Sequence, residues 1–285
     1  MNTKERLELE RFAAQIRIET IKEVAIRGFG HIGGSLSVAD LLAVLYGREM
    51  NIRPDEPDWD GRDMLVMSKG HAGPSVYATL ALKGYFPMEW LETLNQHDTR
   101  LPSHVDRKLT PGIDMTCGSL GQGTSAACGM ALGTKLDGSG RHVYLCTGDG
   151  ELDEGQCWEA ALFAGHHKLD NLVWFVDYNG KQLDGYTEKV LDLGDIVAKF
   201  KAFGFQAVEV DGHDVEAIAA ALDLARTTKG KPTCVVMNTV KGQGLPSIED
   251  VELNHHINLP QGDADEALVL QEKELARIEK ELQNV

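Results

Sequence analysis

Gly148-Asp149-Gly150 closes one apolar run, and further along the chain a second apolar run closes on Tyr178-Asn179. The first run contains Val143-Tyr144-Leu145-Cys146 and the second is Leu172-Val173-Trp174-Phe175-Val176. Both are short, bounded and rich in β-branched and aromatic residues, the pattern of buried strands. Between them, Asp153 to Lys168 sets Trp158, Ala161, Leu162 and Gly165 at helical spacing. Strand, helix and strand in that order form a crossover unit, so the two strands are expected to be parallel neighbours. Parallel neighbours end at the same edge of a sheet. Asp149 and Asn179 are therefore expected to meet at its carboxyl edge.

A hard cation would give that meeting a purpose. One aspartate oxygen, one asparagine oxygen, a backbone carbonyl just past Asn179, diphosphate oxygens and water make the all-oxygen shell that magnesium or calcium prefers. Gly150 lets the main chain approach a diphosphate with no Cβ in the way, and the start of the following helix directs free N–H groups at it. A bare Gly-Asp-Gly is an ordinary turn after a strand. The spaced asparagine is what makes the pair read as a metal and diphosphate site.

The chain has 285 residues, enough for one large α/β domain with added arms. With 28 basic and 44 acidic side chains its formal net charge is −16, which opposes general electrostatic binding to nucleic acid or to an anionic membrane. Five cysteines without C-x-x-C spacing argue against a complete disulfide framework and fit a reducing cytoplasm. Met1 to Arg17 is charged throughout, and no long apolar run occurs, so neither secretion nor membrane insertion is expected.

The rest of the chain continues the alternation. Lys4 to Arg27 reads as a helix ended by Gly28-Phe29-Gly30, and Ser37 to Tyr46 as a second helix entered through Gly33-Gly34-Ser35. Met64 to Met67 is a short strand before Ser68-Lys69-Gly70-His71, Ser75 to Lys83 is a helix, and Thr99 to Asp114 is irregular. Gln206 to Val210 and Thr233 to Met237 are strands separated by the helix Asp214 to Thr228. The fold class is α/β with a mostly parallel central sheet flanked by helices. No internal repeat is evident. Ala264 to Gln283 reads as a charged helical arm, since heptads are not sustained.

Gly30-His31-Ile32-Gly33-Gly34-Ser35, Ser68-Lys69-Gly70-His71, Gly118-Ser119-Leu120-Gly121-Gln122-Gly123, Gly148-Asp149-Gly150 and Asn179 follow, in order and spacing, the amino-terminal part of transketolases. The chain resembles the diphosphate-binding domain of that family over roughly residues 20 to 260, although the family usually carries Asn or Asp where Tyr178 stands. The resemblance implies a thiamine diphosphate-binding fold, residues 1–262, with the charged helix 263–285 appended. It implies thiamine diphosphate as cofactor with Mg2+, or Ca2+, held by Asp149, Asn179 and the carbonyl of Lys181. An apolar residue is usual at Lys181, a change that a carbonyl ligand tolerates.

Further roles follow from the same resemblance. Gly118, Ser119 and Leu120 match the segment that runs along the cofactor rings, with Ser119 replacing a proline common in two-domain members. Glu154 matches an acid near the subunit contact, and it would equally serve as a favourable charge in the first helical turn, worth roughly 0.3–1 kcal/mol. His31 corresponds to the residue near a ketose C3 hydroxyl, while His71 and His104 correspond to those around the cofactor and the C1 hydroxyl. Imidazoles with pKa near neutrality suit both tasks. After Thr239-Val240-Lys241-Gly242-Gln243-Gly244, His255 is assigned to the cofactor phosphate and substrate, and His256 aligns as well. His97, His142, His166, His167 and His213 read as structural or exposed.

A full transketolase continues into a pyrimidine-binding domain, for which the residues after Pro260 leave no room. The expectation is thus the amino-terminal subunit of a split transketolase: transfer of a two-carbon ketol unit from a ketose or ketose phosphate to an aldose, active only with a separate carboxyl-terminal subunit, in a heterotetramer. The alternatives are the α subunit of a thiamine diphosphate-dependent 2-oxo acid dehydrogenase or decarboxylase, and a non-catalytic regulatory module that keeps the fold.

Overall fold

A computed structural model describes residues 1–285. Its centre is a five-stranded, wholly parallel sheet of β1 (Met64–Met67), β2 (Val143–Gly148), β3 (Leu172–Tyr178), β4 (Gln206–Asp211) and β5 (Thr233–Asn238), in the spatial order β1-β2-β3-β5-β4. The expected adjacency of β2 and β3 is present, with Gly148 paired to Asp177. Almost every residue of β2, β3 and β5 is buried, as it must be in a parallel sheet covered on both faces. That is why these strands read as continuous apolar runs.

The six longest helices are α1 (Thr3–Arg27), α2 (Gly73–Leu82), α3 (Gln122–Leu136), α4 (Gly155–His166), α5 (Val215–Thr227) and α6 (Gln261–Leu282). Asn2 caps α1 by accepting from the Glu5 N–H at 2.9 Å, and Gly28, in the left-handed region at φ 74°, ends it. Asp214 caps α5 by accepting from the N–H groups of Glu216 and Ala217. Helix α3 packs on β1, β2 and α4, and α5 packs on β4. The charged helix expected near the carboxyl end is α6. It lies along α1, where Ile278 meets Leu7 and Ala14, and its Ala264 and Ala267 enter the main core. No helix is long and apolar enough to cross a membrane. All five cysteines are unpaired and buried.

Two departures from the sequence reading bear on the site. The helix expected at Ser37–Tyr46 starts earlier and is broken into Gly33–Leu36, Ala39–Val44 and a wide turn Leu45–Glu49, closed by a bond from the Met50 N–H to the Leu45 carbonyl. Near the break, Ser37 Oγ donates to Asp177 at 2.9 Å and Asp40 pairs with Arg17 and His213, so tertiary bonds override local helical periodicity. The second departure is α3 itself, which the apolar pattern does not announce. Its buried stripe of Gly123, Thr124, Ala127, Cys128, Ala131 and Thr134 is made of small residues.

Candidate active site

Four of the five parallel strands deliver chemistry to one edge. β1 runs into Ser68-Lys69-Gly70-His71, β2 into Asp149, β3 into Asn179 and β5 into Thr239-Val240-Lys241. Close packing holds these loops together. A Cβ on Gly70 would lie 2.1 Å from the Cys117 carbonyl oxygen, and one on Gly33 would lie 2.4 Å from that of Asn254. Only glycine fits at either point. Between the loops lies a cleft of about 120 Å³. Of the residues expected there, His71, Asp149, Gly150 and Asn179 line it, as do Leu120, Lys181 and His255.

Asp149, Asn179 and Lys181, the residues expected to face a metal, line the same cleft. Asp149 is 1% exposed, and its Oδ1 accepts from the Gly150 N–H at 2.9 Å. Its Oδ2 accepts from the Gly180 N–H at 2.7 Å and from Thr187 Oγ1 at 3.0 Å. Burial, with the neighbouring Asp177 carboxylate second, raises its pKa to about 6, which is the signature of a carboxylate short of positive charge. Asn179 donates its Nδ2 to Asp177 Oδ2 at 2.7 Å, leaving Oδ1 turned toward the Lys181 N–H at 3.1 Å. The Lys181 carbonyl already faces a cation, accepting from Lys241 Nζ at 2.9 Å. No group of three or more His, Cys, Asp or Glu side chains is arranged to hold a metal alone, so a metal here would depend on Asp149, the amide oxygen of Asn179, the carbonyl of Lys181 and ligand oxygens. That donor set suits Mg2+ or Ca2+.

The histidines expected to act together do come together. The His31 ring centroid lies 5.6 Å from His71, 5.0 Å from His104, 5.3 Å from His255 and 4.6 Å from His256. His71 and His255 are 4.4 Å apart. His31, His71, His104 and His255 have pKa values pushed down, chiefly by burial. His31 falls to about 4, with His104, His256 and Lys241 adding repulsion, and His255 falls to about 3, with Lys241 the next cause. His71 lies well below its ordinary value through burial and Lys69, and His104 is lowered through burial and His256. Near neutral pH these four are thus neutral imidazoles, each with one donor and one acceptor nitrogen, suited to hydroxyl groups. Both candidates at the last position touch His31; His255 faces the cleft, and His256 packs against His31 and Phe29.

The remaining expected residues form a rim. Gly118, Ser119 and Leu120 are exposed, with Leu120 turned into the cleft and Gly118 beside His104. Glu154 is exposed at the N-terminal end of α4, where a negative charge favours the helix without a capping hydrogen bond, and its side chain stands against Gly121.

Several residues that shape the cleft carry no role in the sequence reading. Asp177, wholly buried, accepts at Oδ2 from Lys69 Nζ (2.5 Å), Ser37 Oγ (2.9 Å) and Asn179 Nδ2, and at Oδ1 from Thr239 Oγ1 (2.5 Å). Burial pushes its pKa up, but Lys69 and these donors outweigh burial and hold it below the ordinary value. Lys241 is buried too, its pKa lowered to about 8 by burial and then by Lys69. Lysines inside glycine-rich motifs were the available signal for Lys69 and Lys241. His213 bridges elements as well, donating from Nδ1 to Asp40 at 2.8 Å and accepting the Val240 N–H at Nε2, which fixes the loop that carries Lys241.

Comparison with known proteins points to one family. The family described as "Transketolase, thiamine diphosphate binding domain" matches residues 9–273. The 6-deoxy-6-sulfo-D-fructose transketolase subunit SqwG of Clostridium sp. (strain MSTE9) is 49% identical over 257 residues, covering 90% of this chain and 94% of that protein. A subunit of the apulose-4-phosphate transketolase of Actinobacillus succinogenes is 41% identical over 243 residues, covering 85% and 87%. Among solved structures, the transketolase from Leishmania mexicana superposes with a TM-score of 0.83 at 31% identity over 97% of this chain, which spans 46% of that longer protein.

Proposed function

The chain belongs to the transketolase thiamine diphosphate-binding domain family, and from that premise we propose that it is the diphosphate-side subunit of a two-chain transketolase that moves a two-carbon ketol unit from a ketose to an aldose. The observation that carries the reading is the juxtaposition, at one sheet edge, of the oxygen face of Asp149, Asn179 and Lys181 with the neutral imidazoles of His31, His71, His104 and His255. Bound thiamine diphosphate supplies a carbon nucleophile and electron sink for cleavage next to a carbonyl. Asp149, Asn179 and the Lys181 carbonyl would hold Mg2+, or Ca2+, beside its diphosphate, and Gly150 lines the same cleft.

The protein's own part is proton handling and orientation. His31, neutral at working pH, takes the proton of the C3 hydroxyl, as a weaker base than the near-neutral imidazole the sequence suggested because burial and its cationic and imidazole neighbours lower its pKa to about 4. His71 and His104 hold the C1 hydroxyl and the cofactor, and His255 bonds substrate and phosphate oxygens. Gly118, Ser119 and Leu120 present main chain and one apolar side chain to the cofactor rings, and Glu154 sits where a partner would meet them.

At about 120 Å³ the cleft is well below the roughly 300–1,000 Å³ of ordinary ligand pockets, so these residues make a floor and one wall. This supports a second subunit, bearing the pyrimidine-binding domain, as the other wall, in a heterotetramer. Relatives called subunits, nearly all of whose length this chain covers, support the same arrangement. Their named sugars, 6-deoxy-6-sulfo-D-fructose first, are the donors to try before common ketose phosphates.

Gentle affinity purification from the native source, with magnesium and thiamine diphosphate present, tests the arrangement. A stoichiometric companion of similar size is the expected result. A chain that emerges alone and turns over a ketose contradicts it.

A further inference from the structure

Glu151 is 2% exposed, and its carboxylate is the meeting point of three of the motifs around the cleft. Oε1 accepts from Ser68 Oγ at 2.5 Å and from the Gly121 N–H at 2.9 Å, while Oε2 accepts from the Gly148 N–H at 3.2 Å. Ser68 opens the loop to His71, Gly121 follows directly on Gly118-Ser119-Leu120, and Gly148 directly precedes Asp149. We infer that Glu151 is a positioning residue that sets the distance between the metal edge and the loop expected to run along the cofactor rings.

The geometry favours a carboxylate over any neutral relative. The Gly121 and Gly148 N–H groups can only donate, one to each oxygen, so the side chain at this point must offer an acceptor on both sides. A glutamine keeps the shape but turns its NH2 on either the Gly148 N–H or the Gly121 N–H, placing donor against donor. A buried N–H left without a partner weakens its segment by an amount far above that of an ordinary surface change. The loop has little else to hold it. Gly121 sits at φ 83°, in the left-handed region, and residues 118–120 are exposed. The start of α3 is pressed on Ser68 so closely that a Cβ on Gly123 would lie 2.4 Å from Ser68 Oγ. Loosening the Ser68–Glu151–Gly121 joint therefore loosens both the loop and the helix it enters.

This inference rests on the functional reading of the cleft, and its test separates the two. Hydrogen exchange is measured on the full chain and on the Glu151→Gln, Glu151→Asp and Ser68→Ala variants, together with magnesium–thiamine diphosphate affinity by calorimetry. In Glu151→Gln, exchange in peptides covering 118–124 and at Gly148 is expected to speed up by about tenfold or more, with β3 and β5 unchanged. Affinity is expected to fall by about 10–100-fold, the scale for losing an outer support of a ligand site. Ser68→Ala gives a smaller change alone and none on top of Glu151→Gln, because both break one joint. If the glutamine variant does not fold, Glu151→Asp, which keeps the charge but shortens the reach, is expected to show the same local loosening. Wild-type exchange at 118–124 in the folded variants overturns the positioning role. Failure of the wild-type protein to bind the cofactor at all, with or without a partner, contradicts the reading of the cleft instead, and the exchange rates still decide the role of Glu151.

Discussion

The floor of the cleft and its rim are built on opposite plans. On the floor, Asp149, Asp177 and Glu151 are buried carboxylates, and each accepts three or more hydrogen bonds from strand ends, loops and helix termini around it. On the rim, Gly118, Ser119 and Leu120 are exposed, and Leu183 across the cleft is 61% exposed. Buried acids in such numbers are tolerable only when most of their lone pairs are used, so the chain's own donors hold the floor before any ligand arrives, with Asp149 still short of positive charge. The rim leaves apolar side chains in water beside a cleft too small to enclose a ligand. A preformed half and an unfinished half are the division expected of one subunit in a shared site.

The sharpest way to break this contrast is on the floor. Asp149→Ala is expected to abolish magnesium-dependent thiamine diphosphate binding; calorimetry with normal affinity would remove the metal assignment. Next in size is His31→Ala, which is expected to leave cofactor affinity intact while lowering turnover of the assembled enzyme by roughly 10²–10⁴, the scale for losing a positioned acid or base. Unchanged rates would return His31 to a structural role.

The histidine cluster also makes the floor sensitive to acid. His31 stays neutral in the folded chain down to about 4 and His255 to about 3, whereas in the unfolded chain each takes up a proton near its ordinary value of about 6.5. Over that window the unfolded state binds more protons, so the stability contributed by the cluster is full above about 6.5 and is lost as pH falls toward 4. Between those limits the melting temperature of wild type should fall more steeply than that of His31→Gln as pH falls. Parallel curves would mean that His31 is not desolvated. At the small end, Leu120→Ala on the rim should change the stability of the isolated chain by no more than about 0.5 kcal/mol, as exposed positions generally do. A larger loss in urea unfolding would show the rim to be as tightly packed as the floor.

The same contrast governs what the sequence revealed. β2 and β3 were legible because a parallel strand buried on both faces must be apolar throughout, and the expected edge meeting of Asp149 and Asn179 follows from their register. The converging histidines came from motif resemblance, since nothing in their spacing brings His31, His104 and His255 together. Asp177 and Glu151 escaped notice because a carboxylate at the end of an apolar run reads as a solvated turn. Only the folded chain shows donors converging on it from Ser37, Lys69 and Thr239, or from Ser68, Gly121 and Gly148. Helix α3 escaped for a different reason: its buried side is Gly, Ala, Thr and Cys, so the hydrophobic period is too shallow to detect.

The most direct test of a finished floor and an open rim is reconstitution. The purified chain is assayed for ketol transfer, with magnesium, thiamine diphosphate and a ketose donor, alone and after mixing with its co-purifying companion. Turnover is expected only in the mixture and is expected to vanish there with Asp149→Ala. Turnover by the chain alone, or a mixture indifferent to Asp149→Ala, would contradict the account.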